Sequence, residues 1–247
     1  MTARNDVQQA LERGEHDAAL LLTDAILAER PGDDSAHELR ARALLALGRL
    51  AEAERHASDA VRLDPDEIRY RELLAQVLSR RGAHRDAAAE FGRLARNDPG
   101  QQDWVVAEAR ERIGASQASM GVDAARRATR LDPDNGHAQL TLAQALTRTG
   151  DARGALQSAA RAVKLLSSDP AAREALADAL WLADRDVEAF DEFRALSGET
   201  SGVDRDRVVG KARTLYGQQR GPVRHAIAAI GPLFRLAFGR GWLRIGR

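Results

Sequence analysis

The histidines are the residues of this 247-residue chain that could most readily bind a metal or move a proton, and there are six of them. They are His16, His37, His56, His84, His137 and His225. None belongs to an HExxH or HxxxH pair, the spacing that puts two imidazoles on one face of a helix. We therefore expect solvated helix histidines rather than metal ligands.

Other motifs that carry chemistry do not support an active site. The chain has no cysteine, which excludes disulfides, thiolate nucleophiles and cysteine-bound metals. It contains no GxGxxG sequence, Walker-type phosphate loop or GxSxG sequence. The segment from Asp132 to Gly136 resembles a calcium loop in composition, but it lacks the ligand spacing and is better interpreted as a proline-centred turn. The sequence predicts no catalytic residue, no metal site and no cofactor, and hence a protein that is not an enzyme.

Composition indicates an all-α protein. Alanine, the best helix former, accounts for about a fifth of the chain, whereas aromatic residues make up only 4%. No apolar run reaches the roughly 18 residues that a spanning helix requires. The N-terminal residues also lack the apolar stretch of a secretory signal. We therefore expect a cytoplasmic protein.

A single period organises most of the chain. Proline marks it at Pro31, Pro65, Pro99 and Pro133, a step of 34 each time. Glycine marks it at Gly14, Gly48, Gly82 and Gly150, with Ser116 in the skipped place. A third register of small residues comprises Ala19, Ala53, Ala87, Gly121, Ala155 and Ala189. Several registers that share one period over six copies predict a repeat protein.

Each copy has the pattern of two helices. In the second copy, apolar residues recur over 37–47 and again over 51–63, and Gly48 separates the two segments. The group Asp64-Pro65-Asp66 follows. Since proline suits the first turn of a helix and aspartate caps it, we expect Pro65 to begin the next helix with Asp64 as its cap.

This pattern resembles the tetratricopeptide repeat family, in which small residues lie at helix crossings, a glycine at the turn and a proline at the end. Ala41, Gly48, Ala53, Ala60 and Pro65 fill those places in the second copy. The resemblance implies an all-α, right-handed superhelix of about six repeats. It divides the chain into repeats at 1–200, a capping helix at 201–220 and a basic amphipathic tail at 221–247.

The fourth copy departs most from the pattern. It has Ser116 instead of the turn glycine, Arg112 where other copies have leucine, and Gly114 and Gly121 inside helical windows. Interior glycine costs roughly 0.5–1 kcal/mol relative to alanine. We expect this copy to be the weakest or most irregular.

The resemblance also implies that first-helix residues of each repeat face a concave groove. Those predicted to bind a partner are Arg42, Arg69, Glu72, Gln76, Arg110, Gln144, Arg148 and Trp181, with His137 and Asp178 beside them. Arginine and amide side chains suit an extended peptide, because they hydrogen-bond to carboxylates and to the peptide backbone. A solvated charged face with no ligand is the alternative for any single residue.

The tail has a separate character. From Arg207 onward the chain carries nine basic residues and no acidic one, so residues 1–206 carry the opposite excess. Its predicted contact residues lie on two helical stripes and are Phe234, Phe238, Arg240, Trp242 and Arg244. Basic amphipathic segments bind anionic membranes, but a tail of this kind can also dock on the acidic repeats. Nucleic-acid binding is the least favoured interpretation.

The sequence therefore predicts a protein–protein interaction scaffold that holds an unidentified protein or peptide in its groove. One alternative is a membrane-peripheral adaptor anchored by the tail. Another is a regulatory subunit of a larger assembly.

Overall fold

The computed structural model of this chain describes residues 2–199, 206–212 and 214. These residues form α-helices joined by short turns, and no strand occurs among them. The all-α prediction is confirmed. Contacts divide the chain into a first unit, 1–117, and a second unit, 118–247, so that the division falls inside the fourth copy.

The helices of the two units have closely similar lengths. In the first unit they are α1 Thr2–Glu12, α2 His16–Glu29, α3 Asp34–Ala46, α4 Leu50–Leu63, α5 Ile68–Arg81, α6 His84–Asn97 and α7 Gln102–Gly114. In the second unit they are α8 Ala118–Leu131, α9 Gly136–Thr149, α10 Ala152–Leu165, α11 Pro170–Leu182 and α12 Asp186–Glu199. Within each unit every helix packs against the next one along the chain. First helices of adjacent repeats also pack together, as α3 does with α5 and α9 with α11.

Small residues occupy the helix crossings, as the sequence predicts. Ala19, Ala53, Ala87, Ala155 and Ala189 are all 0% exposed. An alanine at a crossing lets two helix backbones approach closely, so that the larger side chains on either side can pack between them. Neither helix of a pair can bury its apolar face alone, and stacking of pairs within each unit provides a shared core.

The turn between the two helices of a repeat requires a left-handed residue. Gly14, Gly48, Gly82 and Gly150 have φ between +72° and +83°. The same register holds Ser116 with φ +60° and Asp184 with φ +57°. The backbone therefore keeps this conformation even where the sequence supplies a residue with a Cβ, at a cost of roughly 1–2 kcal/mol.

The proline turns differ from the prediction. Pro65 lies in the turn and not in a helix, since α5 begins at Ile68 and its cap is Glu67. Asp64 instead accepts a hydrogen bond from the backbone N–H of Asp66 at 3.2 Å. An aspartate before proline can close such a turn, because the proline between the two bonded residues has no N–H that needs an acceptor. Only at Pro170 does proline begin a described helix, with Asp169 as its cap.

A further repeated contact fixes these turns. The side chain six residues after the turn proline donates a hydrogen bond to the proline carbonyl, an arrangement that we call the proline latch. It joins His37 to Pro31 at 3.0 Å, Arg71 to Pro65 at 3.1 Å and Gln139 to Pro133 at 3.0 Å.

The fourth copy lacks the latch, because Val105 stands in that place and a valine side chain cannot donate a hydrogen bond. The interior glycine of this copy, Gly114, is explained by packing. A Cβ at Gly114 would lie 2.8 Å from the ring of His84. The glycine therefore makes room for that histidine, whose Nδ1 lies 2.7 Å from Glu111.

Residues 206–212 and 214 are helical and pack against α11 and α12. Val208 and Ala212 join the core formed by Leu180, Phe190 and Phe193. Lys211 Nζ donates to Asp178 at 2.6 Å and to Glu174 at 2.8 Å. These residues cover the last repeat, while the predicted boundaries at 201 and 220 lie outside the described residues.

Filling a helix crossing should destabilise the fold. We expect Ala53→Phe to lower the free energy of unfolding by about 1–3 kcal/mol, because a ring at this fully buried position must push two backbones apart. Ala51→Phe, at an exposed position of the same helix, is the matched control. Urea unfolding measured by circular dichroism compares them, and equal stability of the two variants would contradict the assigned register.

Relieving a strained turn should have the opposite effect. We expect Ser116→Gly to raise the free energy of unfolding by about 0.5–1 kcal/mol, because glycine adopts positive φ without steric cost. Ser116→Ala retains the Cβ and should give no gain. Urea unfolding of both variants tests this, and stabilisation by the alanine would show that the serine side chain and not its φ is responsible.

Candidate functional site

A pocket of about 440 Å³ lies between α3 and α5 in the first unit. Its lining combines arginines and glutamates with a short apolar wall: Glu38, Arg42, Leu45, Ala46, Arg69, Glu72, Leu73, Gln76 and Arg80. Both helices are the first helices of their repeats. The pocket therefore arises where two successive first helices pack side by side.

The pocket brings together four of the eight residues predicted for the groove, namely Arg42, Arg69, Glu72 and Gln76. Arg110 is exposed on α7 of the first unit and does not line this pocket. Within the first unit, Arg42, Gln76 and Arg110 follow one another by one period each and so hold the same place on successive first helices.

The other predicted groove residues belong to the second unit. Gln144 is half-buried and Arg148 is exposed, both on α9. Trp181 is half-buried on α11, where its ring meets that of Phe193 edge to face with centroids 6.5 Å apart. Trp181 is thus partly a core residue. The predicted tail contacts Phe234, Phe238, Arg240, Trp242 and Arg244 lie outside the described residues.

Sequence reasoning missed two charged residues of the pocket, Glu38 and Arg80. Both could have been predicted from the repeat, because each lies a whole number of periods from a predicted residue. Glu38 precedes Glu72 by one period, and Arg80 precedes the predicted Arg148 by two periods. Extending each predicted position through every copy would have found them.

Several charges of the pocket are already paired. Arg42 Nη1 donates to Gln8 Oε1 at 3.1 Å and lies 3.5 Å from Glu38. Arg69 is held by Glu67 through two hydrogen bonds of 3.0 and 3.1 Å. Burial raises the pKa of Glu38, and the arginine at position 42 opposes that shift. Loss of solvation is therefore a larger influence on this carboxyl than its ion pair.

Other side chains at or near the pocket remain available. Among the described residues, none forms a hydrogen bond or an ion pair with Gln76, Arg80 or Arg110. The same holds for Gln144 and Arg148 in the second unit. Unpaired guanidinium and amide groups can bind a carboxylate or peptide backbone without first breaking a bond within the protein.

Two histidines depart from the expectation of solvation. His37 and His56 are buried, at 8% and 7% exposure, and their Nδ1 atoms lie 2.9 Å apart. With Asp59 they form a group whose potential ligand atoms lie within 4.8 Å of one another. The expectation fails because His37 faces a histidine on the other helix of its repeat, and a local motif does not reveal such a pair.

The hydrogen bonds around this pair assign every ring nitrogen. His37 Nε2 donates to the Pro31 carbonyl, so the Nδ1 of the neutral ring is an acceptor. Arg40 Nε donates to His56 Nε2 at 3.1 Å, so His56 donates from Nδ1 to His37. A metal ion between the rings would need a lone pair on His56 Nδ1, and that nitrogen carries the proton donated to His37. The hydrogen bonds therefore run in an unbroken chain from Arg40 through His56 and His37 to the Pro31 carbonyl.

The next copy of the repeat supports this interpretation. Arg71 and Glu90 follow His37 and His56 by one period, and they form an ion pair of 2.8 Å. Arg71 also makes the same contact with a proline carbonyl. Two chemically different polar pairs therefore connect corresponding helices in successive repeats. This supports a structural role for the histidine pair.

A second polar network links α5, α6 and α7 in the first unit. The buried Glu111 accepts a hydrogen bond from Ser79 Oγ at 2.7 Å and lies 2.7 Å from His84 Nδ1. The serine bonds to the carboxylate and not to the imidazole. The order of a Ser-His-carboxylate triad is thus not present among these three residues.

Comparison with known proteins agrees with the helical pattern. A family model described as tetratricopeptide repeat matches residues 10–77, and a second model of that description matches 106–170 and 140–202. The chain belongs to the tetratricopeptide repeat family. None of the curated proteins matches it.

Several solved structures share the fold at low sequence identity. A tetratricopeptide repeat protein from Parabacteroides merdae ATCC 43184 is 13% identical with a TM-score of 0.72, over 99% of this chain and 95% of that one. MamA from Desulfovibrio magneticus RS-1 is 20% identical with a TM-score of 0.62, over 68% and 95%. YrrB, a TPR protein with an unusual peptide-binding site, is 15% identical with a TM-score of 0.55, over 70% and 90%.

These findings confirm the predicted fold class, a tetratricopeptide repeat solenoid. The family supports a general role as a protein–protein interaction scaffold, and its repeat fold is typically non-catalytic. Among the described residues, no helix is both long and apolar enough to cross a membrane.

The buried His56 should make stability depend on pH. Burial, aided by Arg40 and His37, lowers the pKa of His56 from 6.5 to about 4. The unfolded chain therefore takes up a proton first, so this contribution is complete above pH 6.5 and is lost as the pH falls toward 4. We expect a loss of about 1–2 kcal/mol between pH 7 and pH 5.

Urea unfolding of the wild type and of His56→Gln at both pH values isolates this contribution. The stability advantage of the wild type should shrink at pH 5. His137→Gln removes an exposed histidine and is the control. An advantage of His56 that stays constant or grows at pH 5 would contradict a neutral imidazole in the folded state.

Proposed function

We propose that this tetratricopeptide repeat protein is a scaffold whose first unit binds an extended, acidic segment of a protein partner at the α3–α5 pocket. The single observation that carries the proposal is the set of unpaired side chains Gln76, Arg80 and Arg110. Gln76 and Arg80 line the pocket, and Arg110 holds the same place as Gln76 one repeat later.

The remaining pocket residues suit a peptide main chain. Arg42 and Arg69 are hydrogen-bonded to Gln8 and Glu67, which orient their guanidinium groups. Glu72 accepts a hydrogen bond from the Trp104 indole at 3.4 Å and retains a carboxylate oxygen for a peptide N–H. Leu45 and Leu73 provide an apolar wall for a side chain of the ligand.

In the second unit, Gln144, Arg148 and Trp181 are the corresponding proposed contacts. The first two have no partner among the described residues and offer an amide and a cation. Trp181 offers the part of its ring that Phe193 does not cover.

The alternatives of a membrane-peripheral adaptor and a regulatory subunit depend on the tail and on other chains. Both stay predictions, as does a cytoplasmic location. Flotation of the full chain with anionic liposomes tests the adaptor directly.

Selection from a displayed library of random peptides tests the pocket before the natural partner is identified. The full chain should select peptides rich in aspartate and glutamate. We expect Arg110→Glu, or Arg80→Glu, to weaken a selected peptide at least about tenfold, because a charge-assisted hydrogen bond contributes about 1.5–3 kcal/mol. Fluorescence polarisation with the purified variants measures this loss.

Arg62→Glu is the matched control, since Arg62 is an exposed arginine on α4 that does not line the pocket. Its reversal makes the same change in net charge and should leave the affinity nearly unchanged. Equal losses for Arg62→Glu and Arg110→Glu would reject the pocket in favour of general charge attraction.

A further inference from the structure

A second pocket, of about 400 Å³, lies among α10, α11 and α12 in the second unit. It has an apolar side and a charged side, which together comprise Leu156, Ala160, Leu176, Leu180, Arg185, Glu188, Asp191 and Glu192. Leu156 and Leu176 are only partly buried, so an apolar ligand group would gain by covering them.

Acidic residues are concentrated around this pocket. Residues 170–199, which form α11 and α12, contain eight acidic and three basic residues. The preceding copy, 136–169, contains two acidic and four basic residues. Glu174 and Asp178 already pair with Lys211, so the carboxylates of α12 are the ones that can attract a cationic segment.

The carboxylates of the pocket are incompletely neutralised. Arg185 pairs with Glu188 through two hydrogen bonds and Arg194 lies 3.3 Å from Asp191, but Glu192 has a weaker partner. Glu192 Oε2 is buried, receives no hydrogen bond from the described residues and lies 3.9 Å from Arg173 Nε. The Glu192 side chain as a whole is still 31% exposed, so its charge can attract a cation brought by a ligand.

We propose that the α10–α12 pocket is a docking site for the tail of the same chain, residues 221–247. This segment has five arginines and no acidic residue, which complements the acidic side of the pocket. Phe234, Phe238 and Trp242 are spaced four residues apart, so a helical turn would present them together to the leucines.

The position of the preceding helix allows this contact. Val208 and Ala212 pack beside Phe193 and Leu180, and Leu180 is itself a wall of the pocket. Twenty residues separate position 214 from Phe234. A chain of that length spans up to about 66 Å, so reach does not limit docking. The inference is independent of the peptide site proposed for the first unit.

The absence of cysteine makes a spin-label experiment on the full chain direct. Gln157→Cys places a nitroxide on an exposed position beside the pocket, and Ser119→Cys places one on an exposed position of α8. We expect the label at 157 to broaden the backbone amide signals of 221–247 much more strongly than the label at 119 does. Tail signals that neither label affects, or that both affect equally, would overturn the proposal.

Variants of the pocket then establish what holds the tail. Asp191→Arg and Ala160→Arg should abolish the broadening, whereas Asp123→Arg, an equal charge change to Asp191→Arg but on α8, should not. Circular dichroism checks that each variant keeps its helices. Raising the salt concentration from 0.1 M to 1 M should also weaken docking, because the Debye length falls from about 10 Å to about 3 Å. Broadening that survives both pocket variants would place the tail elsewhere.

Two further samples distinguish the other occupants. In a mixture of spin-labelled, unenriched chains with isotope-enriched, label-free chains, broadening would show that a second copy supplies the tail and would overturn docking within one chain. Tail signals that change only when phosphatidylserine vesicles are added would assign the tail to a membrane and would equally overturn it.

Discussion

The reversal of the chain within each repeat depends on one residue with positive φ, and the rest of the structure depends on that reversal. Glycine satisfies the requirement at four of the six described turns, whereas Ser116 and Asp184 adopt the same conformation against the steric preference of their Cβ atoms. A strained residue persists only where its surroundings determine the backbone. At Asp184 the surroundings include the fully buried Ala189 on the helix that follows the turn.

The buried polar groups strengthen the same design. The proline latch ties a turn to the helix after it, and its donor is a histidine, an arginine or a glutamine in different copies. The partners behind the donor vary in the same way, from His56 in one copy to Glu90 in the next. Where the latch is present, its donor is a side chain long enough to reach the proline carbonyl, whereas the partner behind that donor is an imidazole in one copy and a carboxylate in the next. The buried histidine pair is therefore explained by structure without any need for catalysis.

The sequence predicts the periodic features well, since turns, crossings and helix pairs each leave a residue at a fixed step. It predicts less well whatever depends on the facing helix. His37 and His56 meet across the two helices of a repeat, and neither residue alone differs from a solvated histidine. The predicted cap at Asp64 is wrong. An Asp-Pro pair suits either a helix start or a turn, and the local sequence does not distinguish the two. The start of α5 at Ile68 shows that here the pair forms a turn. Glu38 and Arg80 follow from the repeat, but the pocket that makes them relevant depends on the packing of α3 against α5.

The same packing explains why some first-helix side chains are paired within the protein and others are not. Arg42 is contacted by Gln8, one period earlier, and Asp178 by Lys211 on the helix that follows the last repeat. In both cases the adjacent helix supplies a complementary side chain, which satisfies the position from within the protein. Gln76 and Arg110 occupy the same register as Arg42 without such a neighbour in the described residues. The proposed binding positions are thus those at which the repeat keeps the geometry of a contact while the sequence omits its partner among the described residues.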